Sequence, residues 1–378
     1  MIRISSNFDS GNIQVVDAQS ADDIKLSIVP DNEANFFQWF YFRLQGCKKQ
    51  PCRLQILNAS RAAFPDGWSG YQALASYDRE NWFRVSTDYD GTQLVISHTP
   101  DYDSVYYAYF VPYSYERHLD LIARTQGMKH CRLLDLGESV EGRAIELLRM
   151  TNDQARDNKR NIWITARQHP GESMAECFME GLLSRLGRIH DPLIESLLEK
   201  VVFYLVPNMN PDGTLHGHLR TNALGVNLNR EWHEPNMERS PEVYFVLEAM
   251  KATGVDLFLD IHGDETLPYI FMLGCQANSN YSERLGSLEA QFKQAFLAAS
   301  PEFQVEEGYE LGRFGTETLK LASNQVGHRF DCLALTLEMP FKDNANLPDL
   351  TKGWSAERSN QLGQAILDPI HAVLGQLR

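Results

Sequence analysis

The chain has 378 residues, of which 43% are hydrophobic, 11% aromatic and 22% charged. That is ordinary globular composition, and it excludes a disordered, collagen-like or disulfide-scaffold protein. Fifty acidic against thirty-five basic side chains leave a net charge of −15, a field that repels phosphate backbones, so no nucleic-acid partner is expected.

The length accommodates two domains. No apolar run reaches the roughly 18 residues of a membrane span. The opening residues, MIRISSNFDSGNIQ, carry no apolar stretch of the kind that starts a secretory signal. Six scattered cysteines suit a reducing compartment. The expectation is a cytoplasmic protein without a membrane partner. Cys47 and Cys52, around KKQP, have the spacing of a clip or half a metal site, but no second close pair accompanies them.

In chain order, the first 112 residues read as β-structure. Ile24, Leu26 and Ile28 alternate with polar residues, the strand period. The aromatic run Asn35–Leu44 suits a buried strand. FRVSTDY and TQLVISH bracket Asp90-Gly91 as a hairpin, and VYYAYFV leads to Pro112. Several short strands without a helical pattern predict a small all-β, sandwich-like domain over 1–112.

Residues 113–378 alternate strands with helices. NIWITAR (Asn161–Arg167) ends at Gln168-His169-Pro170-Gly171, and Met174, Phe178, Leu182 and Leu186 then recur at helical spacing. VVFYLV (Val201–Val206), Val255–Ile261 and CLALTL (Cys332–Leu337) are further apolar strands. A closing helix over Glu357–Leu377 should be kinked or divided by Pro369. The pattern predicts an α/β domain with a mixed, mostly parallel sheet flanked by helices. Ligands bind such sheets beyond the carboxyl ends of the strands. Four polar clusters fall there: His169–Glu172, Asn208–Asp212, His262–Glu265 and Glu338.

His-x-x-Glu has the chemistry of a hydrolytic zinc site, which needs about three nitrogen or oxygen ligands and an open position for water. The spelling occurs twice, as His169/Glu172 and as His262/Glu265. From the residues alone, His169 and His262 are common to both possible ligand sets, and either glutamate completes one.

The set HPGE (His169–Glu172), NPDG (Asn210–Gly213), GVNLNREW (Gly225–Trp232), DIHG (Asp260–Gly263) and TLEMPF (Thr336–Phe341) resembles, in that order, the zinc carboxypeptidases of the M14 type. LGESVEGRAIELLRM (Leu136–Met150) is similar to the stretch that opens their catalytic domain. The HPGE spelling and the long β-rich extension resemble the cytosolic carboxypeptidase branch. The resemblance implies one Zn2+ per chain on His169, Glu172 and His262, with Glu265 outside the ligand set. It implies Glu338 as general base and acid, and Arg220 as the group that stabilises the oxyanion. It implies Asn229 and Arg230 as the clamp on a substrate's terminal carboxylate, hence a peptide or protein C-terminus as substrate. The NPDG residues read as a turn beneath the site.

Three departures stand out. Asn227 occupies a position where many members carry an aspartate oriented toward a zinc-binding histidine. No tyrosine lies between Gly312 and Glu338, where secreted relatives carry a mobile one, and Tyr309 lies too early. GDETLPY after His262 adds Asp264 and Glu265, where animal cytosolic members usually have a second histidine. A preference for C-terminal glutamate, implied by the branch, needs another cation, for which Arg313, Lys320 and Arg329 are the candidates. The alternative reading is a zinc amidohydrolase or deacylase acting on small N-acyl amino acids.

Overall fold

The computed structural model describes residues 1–155, 158–310 and 312–378. Short alternating apolar runs fold the first part into strands β1 (Arg3–Ser5), β2 (Gln14–Asp17), β3 (Ile24–Ser27), β4 (Tyr41–Gln45), β5 (Cys52–Ile56), β6 (Leu74–Ser76), β7 (Trp82–Arg84), β8 (Ser86–Tyr89), β9 (Leu94–His98) and β10 (Ser104–Ala108). Two five-stranded sheets result, in the orders β1-β4-β10-β6-β7 and β2-β3-β5-β9-β8. All neighbours are antiparallel except β3 and β5. Ile24, Leu26, Leu54 and Ile96 of one sheet and Phe42, Leu44 and Tyr107 of the other are buried in a common core.

Two expectations are adjusted. FRVSTDY forms two strands, because Val85 turns the chain from β7, paired with β6, to β8, paired with β9. In Asn35–Leu44 the strand begins only at Tyr41. The preceding residues are fixed by side chains instead. Gln38 exchanges hydrogen bonds with the backbone of Phe64 at 2.9 and 3.1 Å, and the Trp39 indole donates to the Ser10 carbonyl at 2.9 Å.

The second part contains α1 (Tyr115–Gln126), β11 (Cys131–Glu138), β12 (Ala144–Met150), β13 (Arg160–Ala166), α2 (Ser173–Leu186), α3 (Pro192–Lys200), β14 (Val201–Val206), α4 (Pro211–His216), α5 (Pro241–Thr253), β15 (Leu257–Asp264), β16 (Phe271–Leu273), α6 (Glu283–Ala299), α7 (Ala322–Phe330), β17 (Leu333–Pro340), α8 (Ala356–Ala365) and α9 (Leu367–Val373). The sheet order is β11-β12-β14-β13-β15-β17-β16. Its four central strands are parallel and its edges antiparallel. Those central strands are buried on both faces, which explains their unbroken apolar runs. One face continues into the core of the β domain, and the other packs Trp163, Tyr204 and Phe258 against Trp232 and α5. Tyr109 stacks on Phe341 across the seam between the two parts, with ring centroids 4.7 Å apart.

The closing helix divides at Ile366, three residues before Pro369. The proline ring excludes the carbonyl four residues earlier, and α8 accordingly ends at Ala365. β15 and β17 run further than expected, pairing through Asp264↔Pro340. His262 and Glu338 therefore sit within strands, not after them.

Candidate active site

β13 ends at Ala166, and Arg167 takes a left-handed backbone (φ 61°) that starts the HPGE turn. Its buried guanidinium donates to the Pro170 carbonyl at 2.8 Å and to Glu176 at 2.7 Å, holding the turn from behind. Gly171 is required there: its N–H donates to the Leu219 carbonyl at 2.9 Å, and a Cβ would sit 2.9 Å from that oxygen. The turn presents His169 and Glu172 toward His262, which stands opposite Glu338 in the β15/β17 register.

Among the described residues, His169, Glu172 and His262 form a group of ligand atoms all within 4.8 Å of one another, able to hold a metal ion. The Glu172 carboxylate lies 2.6 Å from His169 Nδ1 and 2.8 Å from His262 Nδ1, and the two Nδ1 atoms are 3.2 Å apart. Glu265 lies outside this group, although it lines the same cleft.

The far side of each ring decides its tautomer. Asn227 Oδ1 accepts the Asn229 backbone N–H at 3.1 Å, which fixes the amide orientation. His169 Nε2, 3.1 Å from the same oxygen, must therefore donate, leaving Nδ1 a free lone pair. His262 Nε2 donates at 2.8 Å to Asp260, whose carboxylate also accepts from Thr165 at 2.9 Å and Gln168 at 2.6 Å. Burial and the Arg220 charge lower the His169 pKa to about 4, so the ring is neutral. Burial opposes charge on His262, but Asp260 and Glu172 outweigh it and hold its pKa well above the usual value. Burial also penalises the Glu172 carboxylate, yet both imidazoles hold its pKa well below the usual range.

Glu338 is buried, and its Oε2 has no hydrogen-bond partner among the described residues. Burial raises its pKa well above the ordinary carboxylate value, with Glu172, Asp264 and Glu265 adding to the rise and His262 opposing it. Two oriented imidazole nitrogens, one carboxylate and an unsatisfied carboxyl beside them are a donor set that fits Zn2+.

The opposite wall is cationic. A cleft of about 210 Å³ is lined by Arg220, Arg230 and Arg313 together with the metal-binding group and Glu338. Among the described residues, none of the three guanidiniums has a carboxylate within 4.0 Å. Arg220 faces the rings of Phe64 and Phe36 at 5.3 and 5.9 Å. Arg230 lies over Phe314 at 5.6 Å, and burial with the nearby Arg220 charge lowers its pKa to about 10. Asn229 also lines the cleft, and its Oδ1 accepts the Ala322 N–H at 2.8 Å. Arg313 stacks on Tyr309 at 3.9 Å. Lys320 instead pairs with Glu317 at 2.7 Å on the surface, and Arg329 lies on the last turn of α7, outside the lining.

NPDG is structural: Asn210 caps α4, and Asp212 accepts from Ser139 (2.7 Å), the Glu141 N–H (2.9 Å) and Arg143 (2.7 Å). That contact explains the Ser-x-Glu-Gly-Arg spelling of the upstream stretch. Two functional neighbours escaped sequence reasoning. Asp260 is a charge in the middle of the apolar stretch Leu257–Ile261, two residues before His262 and so on the same face, which is a readable signal. Tyr309 lines the cleft and donates to Asp264; its position in sequence gave no such signal. Cys47 and Cys52 are buried free thiols, as are three of the other four cysteines, and no cysteine joins the metal-binding group.

Comparison with known proteins is consistent with this geometry. Residues 4–110 match the cytosolic carboxypeptidase N-terminal domain, and residues 115–352 match the zinc carboxypeptidase family. A metallo-carboxypeptidase from Pseudomonas aeruginosa, solved in complex with (2-guanidinoethylmercapto)succinic acid, is 49% identical with all of both chains covered and a TM-score of 0.97. An uncharacterized Zymomonas mobilis protein is 46% identical over 100% of this chain and 97% of its own. Cytosolic carboxypeptidase 1 of Xenopus laevis is 27% identical over 87% of this chain, which spans only 29% of that protein's length. The chain belongs to the M14 zinc carboxypeptidase family, with the N-terminal domain of its cytosolic branch, and is a metallocarboxypeptidase.

Proposed function

We propose that the protein holds one Zn2+ per chain on His169, Glu172 and His262 and removes the C-terminal residue of peptides or protein tails. The observation that carries this reading is the convergence of two oriented Nδ1 atoms and the Glu172 carboxylate beside the unsatisfied carboxyl of Glu338, facing a wall of unpaired arginines. Zn2+ at such a site supplies Lewis acidity, lowering the pKa of water and polarising a carbonyl oxygen. Glu338 takes the proton of the attacking water and passes it to the leaving amine. The Arg220 guanidinium is aimed at the charge that develops on the scissile carbonyl oxygen. Arg230, planar and unpaired, binds the terminal carboxylate with Asn229 beside it, so that only a chain end is accepted.

An acidic C-terminal residue is the preferred side chain in this reading, with Arg313 as its cation, because Arg313 is the one of the three sequence candidates that lines the cleft. The succinic acid portion of the ligand in the Pseudomonas structure supports carboxylate binding in such a cleft, while its guanidino group is cationic and gives no support to an acidic side-chain pocket. A cytoplasmic location is supported by the named branch and by the free cysteines. The chain divides functionally near Pro112 into a β domain, 1–112, and a catalytic domain, 113–378.

The test uses zinc-loaded protein and synthetic peptides that differ in their last two residues, followed by mass spectrometry. Stepwise loss from free C-termini is expected, fastest for glutamate, and absent with a chelator, with Glu338→Gln or with C-terminal amides. Trimming of amidated peptides at equal rate would end the clamp reading. Release of acyl groups from N-acyl amino acids without peptide trimming would establish the deacylase instead.

A further inference from the structure

The loop that carries Arg220 is fastened by a carboxylate from the other domain. Leu219 N–H donates to Asp31 Oδ1 at 2.7 Å, and the N–H groups of Arg220 and Thr221 donate to Oδ2 at 2.8 and 2.9 Å. The Thr221 hydroxyl adds a fourth bond at 3.0 Å. Asp31 is only 3% exposed. Burial pushes its carboxyl up, while His218 and the three N–H groups pull it back. A buried carboxylate with four donors is a costly feature to keep as mere surface complementarity.

Neighbouring residues of the β domain grip the same loop. His218 donates from Nδ1 to the Thr221 carbonyl at 3.0 Å, so its Nε2 accepts the Asn32 N–H at 3.1 Å. Asn12 donates to the Gly217 carbonyl at 3.0 Å, and Ser10 to the Thr214 carbonyl at 2.8 Å. Gly225 (φ 72°) lies so close to Glu33 that a Cβ would meet its carbonyl oxygen at 2.6 Å. The segment closes on itself through Asp31 N–H to the Phe36 carbonyl at 2.8 Å, which sets Phe36 beside the Arg220 guanidinium. Phe64, also of the β domain, flanks it at 5.3 Å. Among the described residues, the Arg220 guanidinium has no hydrogen bond to the catalytic domain. The partner of its N–H and both of its aromatic neighbours therefore come from outside that domain.

We propose that the β domain is part of the catalytic apparatus, and that Asp31 is a positioning residue that aims Arg220 at the scissile carbonyl. The inference rests on the role assigned to Arg220 above. An arginine that acts on the transition state loses effect steeply with small displacement, whereas ground-state binding changes little. Asparagine at position 31 would keep the shape but turn an N–H2 group toward backbone donors, loosening the loop.

The experiment is a double-mutant cycle of Asp31→Asn and Arg220→Ala on the full zinc-loaded chain, with bound zinc and Tm measured for each protein. Arg220→Ala should lower kcat about 10²-fold. Asp31→Asn should lower kcat about tenfold with KM nearly unchanged, and should have almost no further effect on kcat in the Arg220→Ala background. Amide hydrogen exchange on the metal-free protein should show faster exchange at Leu219, Arg220 and Thr221 in Asp31→Asn. An equal fold-loss in both backgrounds would mark Asp31 as a general structural residue and overturn the proposal, as would a wild-type kcat. Should Arg220→Ala itself retain kcat, the assigned role of Arg220 fails, and this inference with it. If Asp31→Asn does not fold, Thr221→Val, which removes one of the four bonds, is read through the same cycle. A two- to threefold loss confined to the Arg220 background supports the proposal; an equal loss in both overturns it.

Discussion

His262 and Glu338 lie opposite one another in the register of β15 and β17, while Arg220 lies on a loop and Arg230 ends a single 3-10 turn (Leu228–Arg230), both between β14 and β15. The first pair is located by backbone hydrogen bonds of a sheet buried on both faces, and its geometry follows from strand pairing alone. The second pair depends on remote supports: Asp31, Phe36 and Phe64 for Arg220, and Phe314 for Arg230. The difference teaches that, in the proposed function, one cleft joins a half fixed by strand pairing (the rigid half), assigned to metal and proton, to a half whose aim depends on residues far away in sequence (the adjustable half). Substitutions in the first half should act locally, and those in the second should spread through the supporting segments.

The most severe test of the rigid half is Glu338→Gln. Turnover should fall about 10²- to 10⁴-fold, the range for losing a positioned acid–base group, while bound zinc is retained. Loss of zinc in that variant would show that Glu338 belongs among the ligands. On the adjustable half, Arg230→Ala should lower kcat/KM for free C-termini about 10²-fold, mostly through KM. A fall carried by kcat alone would break the clamp assignment. Asp260→Asn comes next. It removes the carboxylate that orients His262, and zinc affinity measured by competition with a chelator should weaken about 10- to 100-fold. Unchanged affinity would mean that strand register alone holds the ring.

The smallest effect on activity concerns the cluster behind the HPGE turn, where His118 bonds Glu176 at 2.5 Å and Glu146 at 2.8 Å. Burial opposes its charge, but the two carboxylates win and raise its pKa to about 9. A raised histidine pKa stabilises the fold fully below the ordinary value near 6.5 and loses that contribution as pH climbs through about 9. On the order of 3 kcal/mol should be lost across that window. Denaturant unfolding at a series of pH values would reveal it, and His118→Gln should flatten the slope.

Much of the rigid half was legible in the sequence. HPGE, DIHG and TLEMPF stand beside apolar strands, and strand ends in an α/β sheet are where polar residues converge. Spacing leaves the choice between Glu172 and Glu265 open, since both follow a histidine by three residues, and the family resemblance favours Glu172. The fold supplies the physical reason: Glu172 leaves a tight turn toward both imidazoles, whereas Glu265 follows the last residue of β15 and stands apart from the group. The cationic half was less legible. Arg313, Lys320 and Arg329 look equivalent in sequence, and Tyr309 lies earlier than the family's mobile tyrosine, yet Arg313 and Tyr309 line the cleft together. Loop cations carry no periodicity that announces their direction.

The sequence by itself determined the two-part architecture, the alternation of strands and helices, and the residue types at the ends of the central strands. Burial period and chain-local turn chemistry settle these without knowledge of distant contacts. Tertiary structure alone decided the tautomers of His169 and His262, the unsatisfied state of Glu338, and the attachment of Asp31 to a loop 188 residues away. Those features depend on which side chains meet after folding, and such meetings leave no mark on the local pattern of either segment.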